Sequence, residues 1–210
     1  MALSRSYNKN MNELLPQISN LFRTYGIKSL TIKDIVMKLG ISKNAFNVHF
    51  KNKEDVILKL AYSEIGKESD ELNNLCIKHQ HVIDQLYAIS KYVVQKENEL
   101  NSLLIYSMKK YYPEIWDNAM NIRKKNVINV ITNNFNIGVK QGIYRKSIDL
   151  IVVVLFSDFL LNIRSIEMNK DWLINNFDNT FDIIFLYHIR SIANKEGIEY
   201  SEEKLNCQNF

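Results

Sequence analysis

The sequence predicts an all-α fold, with an N-terminal helix-turn-helix head of three helices and a larger C-terminal helical body. Three observations carry that expectation. Glycine and proline are scarce, six and two in 210 residues, which argues against folds built on tight hairpin turns. Apolar residues recur at helical spacing along most of the chain. The breaks between these stripes fall at glycine or at Ser, Thr and Asn, the residues that end and begin helices. The expected division is 1–58 for the head, 59–196 for the body and 197–210 for a flexible tail.

Composition narrows the class further. A 46% hydrophobic and 24% charged chain has enough apolar surface for a packed core and is not a disordered chain. Cys76 and Cys207 are too few for a disulfide framework, which points to a reducing, cytoplasmic setting. Residues 1–11 are polar and lack the apolar core of a signal peptide. The most apolar run, 150–157, is far short of the roughly 20 residues that cross a bilayer, so a buried helix and no membrane partner are expected. The net charge of +4 is unevenly placed. Residues 1–60 hold ten Lys/Arg against four Asp/Glu and are +6, while the remainder is −2. A basic head on a near-neutral body suits a polyanion partner.

Taken in order, Leu14, Ile18, Leu21, Phe22 and Tyr25 form one stripe of a first helix that Gly26 closes. Pro16 is awkward inside that helix, because it lacks an N–H and clashes with the preceding turn; a start near Leu15 removes the difficulty. Thr31 caps a second helix, with Asp34 three residues on as a box partner. Ile32, Ile35, Val36 and Leu39 face inward, and Gly40 ends the helix. Ser42 caps a third, in which Phe46 and Phe50 lie one turn apart on the inner face. Asn52 caps a fourth from Lys53. The sequence of helix, turn through Ile41, and helix is a helix-turn-helix. Beyond residue 60 long helices are expected over 83–112, over 114 to about 138–142, and over 148–168 and 172–194. Pro113 separates the first two, and Gly197 stops the last.

The third helix carries the functional reading. With Phe46 and Phe50 turned to the core, steps of about 100° per residue point Asn44 and Val48 straight outward. Ala45 and Asn47 lie to either side, and Lys43 and His49 flank the core face. Short polar and methyl-bearing side chains suit base edges in a major groove, and cations and helix N-termini suit phosphates. Thr31, at the start of the second helix, is placed for a phosphate.

Several motifs then recur in order: Phe22-Arg-Thr-Tyr-Gly26, Thr31-Ile-Lys-Asp-Ile35, Leu39-Gly-Ile-Ser-Lys43 and His49-Phe-Lys-Asn-Lys-Glu-Asp55. Over about residues 14–60 the chain resembles the TetR (tetracycline repressor-like) family of bacterial transcriptional regulators. The stretch from Gly138 to Arg145 looks like that family's link between its seventh and eighth helices. The resemblance implies a homodimer that binds a palindromic double-stranded DNA operator and is released by a small-molecule effector, as a repressor. Carried over by position, Thr31, Lys33, Ser42, Lys43, Asn44, Ala45, Asn47, Val48, His49 and Lys53 become the expected DNA contacts, Thr31 and Lys53 on phosphate. Asn47 departs from the family, which commonly has a phosphate-contacting Tyr there, and Pro16 is a second departure. The alternative is a helical effector-binding or protein-interaction module with weakened DNA binding.

Catalytic constellations are missing from the sequence. Six scattered glycines make no phosphate-cradling loop, and neither a His-Glu-x-x-His motif nor a nucleophile elbow occurs. No enzyme activity, cofactor or metal is therefore expected. Cys76, His79 and His81 are the nearest approach to a metal cluster, and His81 points away from the other two on a helix. The aromatic-rich run after residue 104 suits an effector pocket, with Leu104, Met108, Tyr111, Trp116, Met120 and Phe156 as lining residues; a plain core reading stays open. Asp158 and Arg164 in the apolar helix fit a ligand anchor, a dimer salt bridge or an exposed edge equally. The last two long helices are expected to form an intersubunit four-helix bundle, with Phe159, Ile163, Phe181 and Phe185 at the interface.

Overall fold

The computed structural model describes residues 10–99, 102–162 and 177–206. These residues form ten helices, with one isolated antiparallel bridge between Tyr144 and Ala193 as the sole extended pairing among them. The first four are α1 (Met11–Tyr25), α2 (Ile32–Leu39), α3 (Lys43–His49) and α4 (Lys53–Lys78). Then come α5 (Val82–Glu99), α6 (Ser102–Tyr111) and α7 (Pro113–Gln141), and finally α8 (Leu150–Asn162), α9 (Phe177–Ile192) and α10 (Lys195–Asn206).

Helix α1 starts a turn earlier than the proline suggested. Asn10 is its N-cap and accepts from the Glu13 amide at 3.0 Å, so Pro16 lies inside the helix. The carbonyl that Pro16 leaves without an intrahelical donor belongs to Asn12, which is exposed and open to water. Leu14, Ile18 and Phe22 are buried, but Tyr25 is 49% exposed and leaves the inward stripe. Helix α7 begins on Pro113, where a missing N–H has no consequence. The expected single helix over 83–112 is two, α5 and α6.

The chain packs as two units that do not follow its linear order. One takes Met1–Glu68 and Leu100–Arg123; the other takes Ser69–Glu99 and Lys124–Phe210. The expected boundary at residue 58 is therefore corrected. Met108 of α6 and Ile115 of α7 are buried in the same cluster as Ile18, Phe22, Ile35, Phe46, Phe50 and Val56, so α6 and the start of α7 belong to the head unit. Within that unit Arg123 meets Glu68 through two bonds, Nε to Oε2 at 2.8 Å and Nη2 to Oε1 at 2.9 Å.

The body unit is built around Leu72, Val82, Leu86, Ile89, Val93, Val127, Ile131, Phe185 and Ile189. A polar knot sits inside it. Asn134 Nδ2 donates to the Val82 carbonyl at 2.8 Å and to Gln85 Oε1 at 3.1 Å, and the buried Tyr144 hydroxyl donates to Asn134 Oδ1 at 3.3 Å. The Tyr144 ring comes so close to Gly138 that a Cβ there would lie 2.2 Å from it. Glycine near the C-terminal end of α7 is thus a packing requirement.

The expected flexible tail is also corrected. Residues 195–206 form α10, with Ser201 buried and Ile198 and Tyr200 against the body core. Gly197, which suggested a stop, lies in the first turn of α10, and its amide donates to the capping Asn194 side chain at 2.9 Å. A Cβ at Gly197 would come within 3.0 Å of Ala193 and 3.1 Å of Ile143. Close approach selects this glycine, and sequence spacing does not reveal that. Residues 207–210 of the expected tail lie outside the described residues.

Candidate nucleic-acid interface

The turn between α2 and α3 is set by backbone chemistry. Gly40 has φ 63° and ψ 34°, the left-handed region that a side chain disfavours, and its amide returns to the Met37 carbonyl at 3.2 Å. Ser42 then caps α3, its Oγ accepting from the Ala45 amide at 3.1 Å. Phe46 and Phe50 are both buried, with ring centroids 5.0 Å apart. This anchor sets the rotation of the helix. Lys43, Asn44 and Asn47 are exposed, Val48 is 78% exposed, and Ser42, Ala45 and His49 are half-buried. The outward face is short, uncharged along its middle and free of large apolar groups other than Val48.

Around α3, the local bonds are reciprocal. At α2 the Thr31 amide and hydroxyl both donate to Asp34 Oδ2, at 2.8 and 2.6 Å, and the Asp34 amide returns to Thr31 Oγ1 at 3.2 Å. The Thr31 hydroxyl, backed by the Thr31 amide, holds the Asp34 carboxyl below its ordinary range. Both Thr31 donors are engaged by Asp34, so the donors left for an anion here are the first-turn amides of Ile32 and of exposed Lys33. Lys53 Nζ donates to the Leu30 carbonyl at 2.5 Å. Burial, then the charge of Lys28, pushes the Lys53 ammonium pKa down. Lys59 Nζ caps α3 from below, donating to the His49 carbonyl at 2.6 Å and pairing with Asp55 at 3.0 Å. Sequence reasoning missed Lys59; its spacing of ten from His49 carries no local signal.

The expected effector-pocket residues are divided between the two units. Met108 is buried in the head core, and Leu104 and Trp116 pack against it. Tyr111 is 37% exposed and Met120 is half-buried. Phe156 belongs to the other unit, where its ring stacks on His188 at 3.7 Å. The plain core reading is the correct one for Leu104, Met108 and Trp116, because α6 fills the head. Within the body, a cavity of about 360 Å³ is lined instead by Leu75, His79, Ile83, Asp84, Tyr87, Ala88, Lys91, Tyr92, Gln95, Phe185, Ser201 and Lys204. Its polar rim is organised: Asp84 accepts from the Tyr200 hydroxyl at 2.8 Å and from Lys204 at 2.6 Å.

Two of the expected interface residues, Phe181 and Phe185, are core residues of the body. Each is edge-on to Tyr87, and Phe159 packs half-buried against the same core. Ile163 lies outside the described residues. The apolar side chains that α8 and α9 leave exposed are Leu150, Ile151, Val152, Leu155, Ile183 and Tyr187. Uniform hydrophobicity over 150–157 concealed which face is which. Asp158 pairs with Lys124, whereas Arg164 is outside the described residues. His81 accepts from the Ile83 amide at 3.2 Å and stacks on Tyr200. Among the described residues no group of three metal-type side chains forms, and no helix is long and apolar enough to cross a membrane.

Comparison with known proteins agrees with this geometry. Residues 14–60 match the family described as bacterial regulatory proteins, tetR family. An uncharacterized HTH-type transcriptional regulator of Bacillus subtilis, YerO, is 32% identical over 68 residues, which are 32% of this chain and 24% of that protein. The match thus spans about a quarter of that relative. A transcriptional regulator from Cytophaga hutchinsonii superposes with a TM-score of 0.73 at 13% identity, covering 88% of this chain and 98% of the other. Reduced NemR of E. coli gives 0.62 at 16% identity, with coverage of 86% and 96%. At these identities the superpositions establish the fold, while the head carries the sequence match. Over residues 14–60, its helix-turn-helix head, the chain thus matches the tetR family of bacterial regulatory proteins.

Proposed function

We propose that the protein is a dimeric transcriptional regulator, acting as a repressor, that binds a palindromic DNA operator and is released by a small-molecule effector. The observation that carries the reading is the outward face of α3. Lys43, Asn44, Asn47 and Val48 stand exposed on a helix whose rotation is fixed by two buried phenylalanines. Asn44 and Asn47 suit bidentate bonds to adenine, and Val48 suits a thymine methyl. The basic balance of the head supplies the sequence-independent attraction. Lys53 uses one of its three N–H donors on the Leu30 carbonyl, which positions α4 against the start of α2 and leaves donors for a phosphate.

The apolar residues exposed on α8 and α9 support dimerisation through these helices. A two-fold then sets two copies of α3 in successive major grooves about 34–36 Å apart. The body cavity supports an effector site, since an apolar floor with a few polar groups is the usual form of a small-molecule pocket. Leu75 and His79 place α4 in the cavity wall, and the same helix begins at Lys53. An effector with different affinity for two settings of α4 shifts the population of heads spaced for the operator.

The test is selection from a pool of random duplexes. The wild-type chain is expected to enrich an inverted repeat with half-sites one helical turn apart, and Asn44→Ala and Asn47→Ala to enrich altered half-sites. Enrichment of nothing over competitor DNA overturns the reading.

A further inference from the structure

We propose that the C-terminal end of α6, through Lys109 and Lys110 together with Lys28 of the α1–α2 link, is a second phosphate-binding surface that grips duplex DNA flanking the half-site faced by α3. The inference rests on the DNA-binding reading above and extends its footprint to a helix outside the helix-turn-helix.

Helix α6 packs on α1 and belongs to the head unit. Tyr106 and Tyr111 stand outward at 55% and 37% exposure, and lysines lie over them. Lys28 Nζ is 4.4 Å from the Tyr111 ring centroid, and Lys110 Nζ is 5.5 Å from the same centroid. Lys110 also meets the Tyr106 hydroxyl at 2.9 Å, and Lys109 lies 5.6 Å from the Trp116 ring. Tyr111 is thus a shared platform joining a lysine of α6 to one of the α1–α2 link. Lys28 is near enough to Lys53 for its charge to be felt there, and Lys53 holds the carbonyl of Leu30, the residue before Thr31.

Among the described residues none of Lys28, Lys109 and Lys110 has an ion-pair partner, whereas Lys59, Lys67, Lys124, Lys195 and Lys204 each do. The exposed acids at the start of α7, Glu114 and Asp117, make no pair with them. Ring faces orient these cations without neutralising them. Like charges gathered in this way repel one another until an anion lies across them. The edge they continue is the anion-receptive start of α2, and lysines without acidic partners beside it supply sequence-independent contacts to duplex phosphates. A phosphate strand running past the start of α2 meets α6 next.

The test uses the full chain and a duplex selected by the wild-type protein from a random pool, made with long flanks and with flanks trimmed to the enriched repeat. Binding is followed by fluorescence anisotropy across a potassium chloride series. Lys109→Gln/Lys110→Gln is expected to flatten the salt slope on the long duplex by about two and to weaken binding on the order of tenfold. Lys195→Gln, in the body unit, serves as control and should match wild type. On the trimmed duplex, wild type and double variant should converge. Equal slopes for the double variant and the control on the long duplex overturn the inference while leaving the α3 reading intact. Failure of the wild-type chain to select any duplex overturns both. If melting shows the double variant unfolded, Lys28→Gln replaces it, with an expected slope change of about one, and an unchanged slope counts against the proposal in the same way.

Discussion

Lys53 Nζ donates to the carbonyl oxygen of Leu30 at 2.5 Å, joining the first turn of α4 to the residue that precedes the α2 cap. Leu30 is itself buried. Without the lysine its carbonyl faces a partly buried site with no charged donor. A charge-assisted bond of this kind contributes about 1.5–3 kcal/mol. Lys53→Met, which keeps the aliphatic stem, is therefore expected to lower the unfolding free energy by about 1–2 kcal/mol in urea titration. An unchanged midpoint would reduce the bond to a surface contact.

Scaffold and reading face on α3 separate cleanly. Phe46 is fully buried in the head core, and truncating such a ring typically costs 3–5 kcal/mol. Phe46→Ala should lower the thermal midpoint of the head by many degrees. Asn44→Ala, on an exposed position, should stay within about 0.5 kcal/mol of wild type while changing the selected duplex. Comparable destabilisation by both would mean that Asn44 packs rather than presents.

The head was legible in sequence because its signals are local. Caps at Thr31 and Ser42, the glycine turn at 40 and the Phe46–Phe50 pair all act within four residues. The body was not, because its determinants are distant in the chain. Met108 looks like a pocket residue until α6 is seen filling the head core. Gly197 looks like a stop until Ile143, 54 positions away, is found against it. Phe181 and Phe185 look like interface residues in a helix that is apolar on more than one side, where periodicity cannot tell the core face from the outer one.

That last distinction makes its own prediction. Leu155 is 61% and Ile151 52% exposed on α8, whereas Phe185 is 1% exposed on α9. Leu155→Glu is expected to turn a dimer into a folded monomer by light scattering, with helicity retained. Phe185→Ala should instead unfold the body, as core truncations of this size do. A Leu155→Glu protein that remains dimeric at micromolar concentration would place the interface elsewhere.

The Glu68–Arg123 pair is nearly out of solvent, with side chains 12% and 9% exposed. Removing the Glu68 carboxylate takes two charge-assisted bonds from a nearly buried guanidinium, each contributing about 1.5–3 kcal/mol. Glu68→Gln should therefore destabilise the head unit strongly. Glu68→Leu/Arg123→Leu should recover part of the loss, since apolar replacement of both members restores packing between them. Denaturant titration of the three proteins decides it; equal loss in the single and double variants would assign the effect to packing alone.

His188 ties stability to pH. It is buried in the body, stacked on Phe156, and among the described residues Nε2 has no hydrogen-bond partner. Burial disfavours the imidazolium and lowers its pKa from 6.5 to about 4. The folded protein keeps the ring neutral, while the unfolded chain takes up a proton below about 6.5. The contribution to stability is therefore complete above pH 6.5 and is lost as pH falls toward 4, at about 1.4 kcal/mol per unit. Between pH 7 and pH 5 the loss from this residue is about 2 kcal/mol by the same relation. His188→Phe keeps a ring stacked on Phe156 and removes the titration. Its urea midpoint should fall less between pH 7 and pH 5 than that of wild type, and equal falls in the two proteins would mean that His188 is already solvated in the native state.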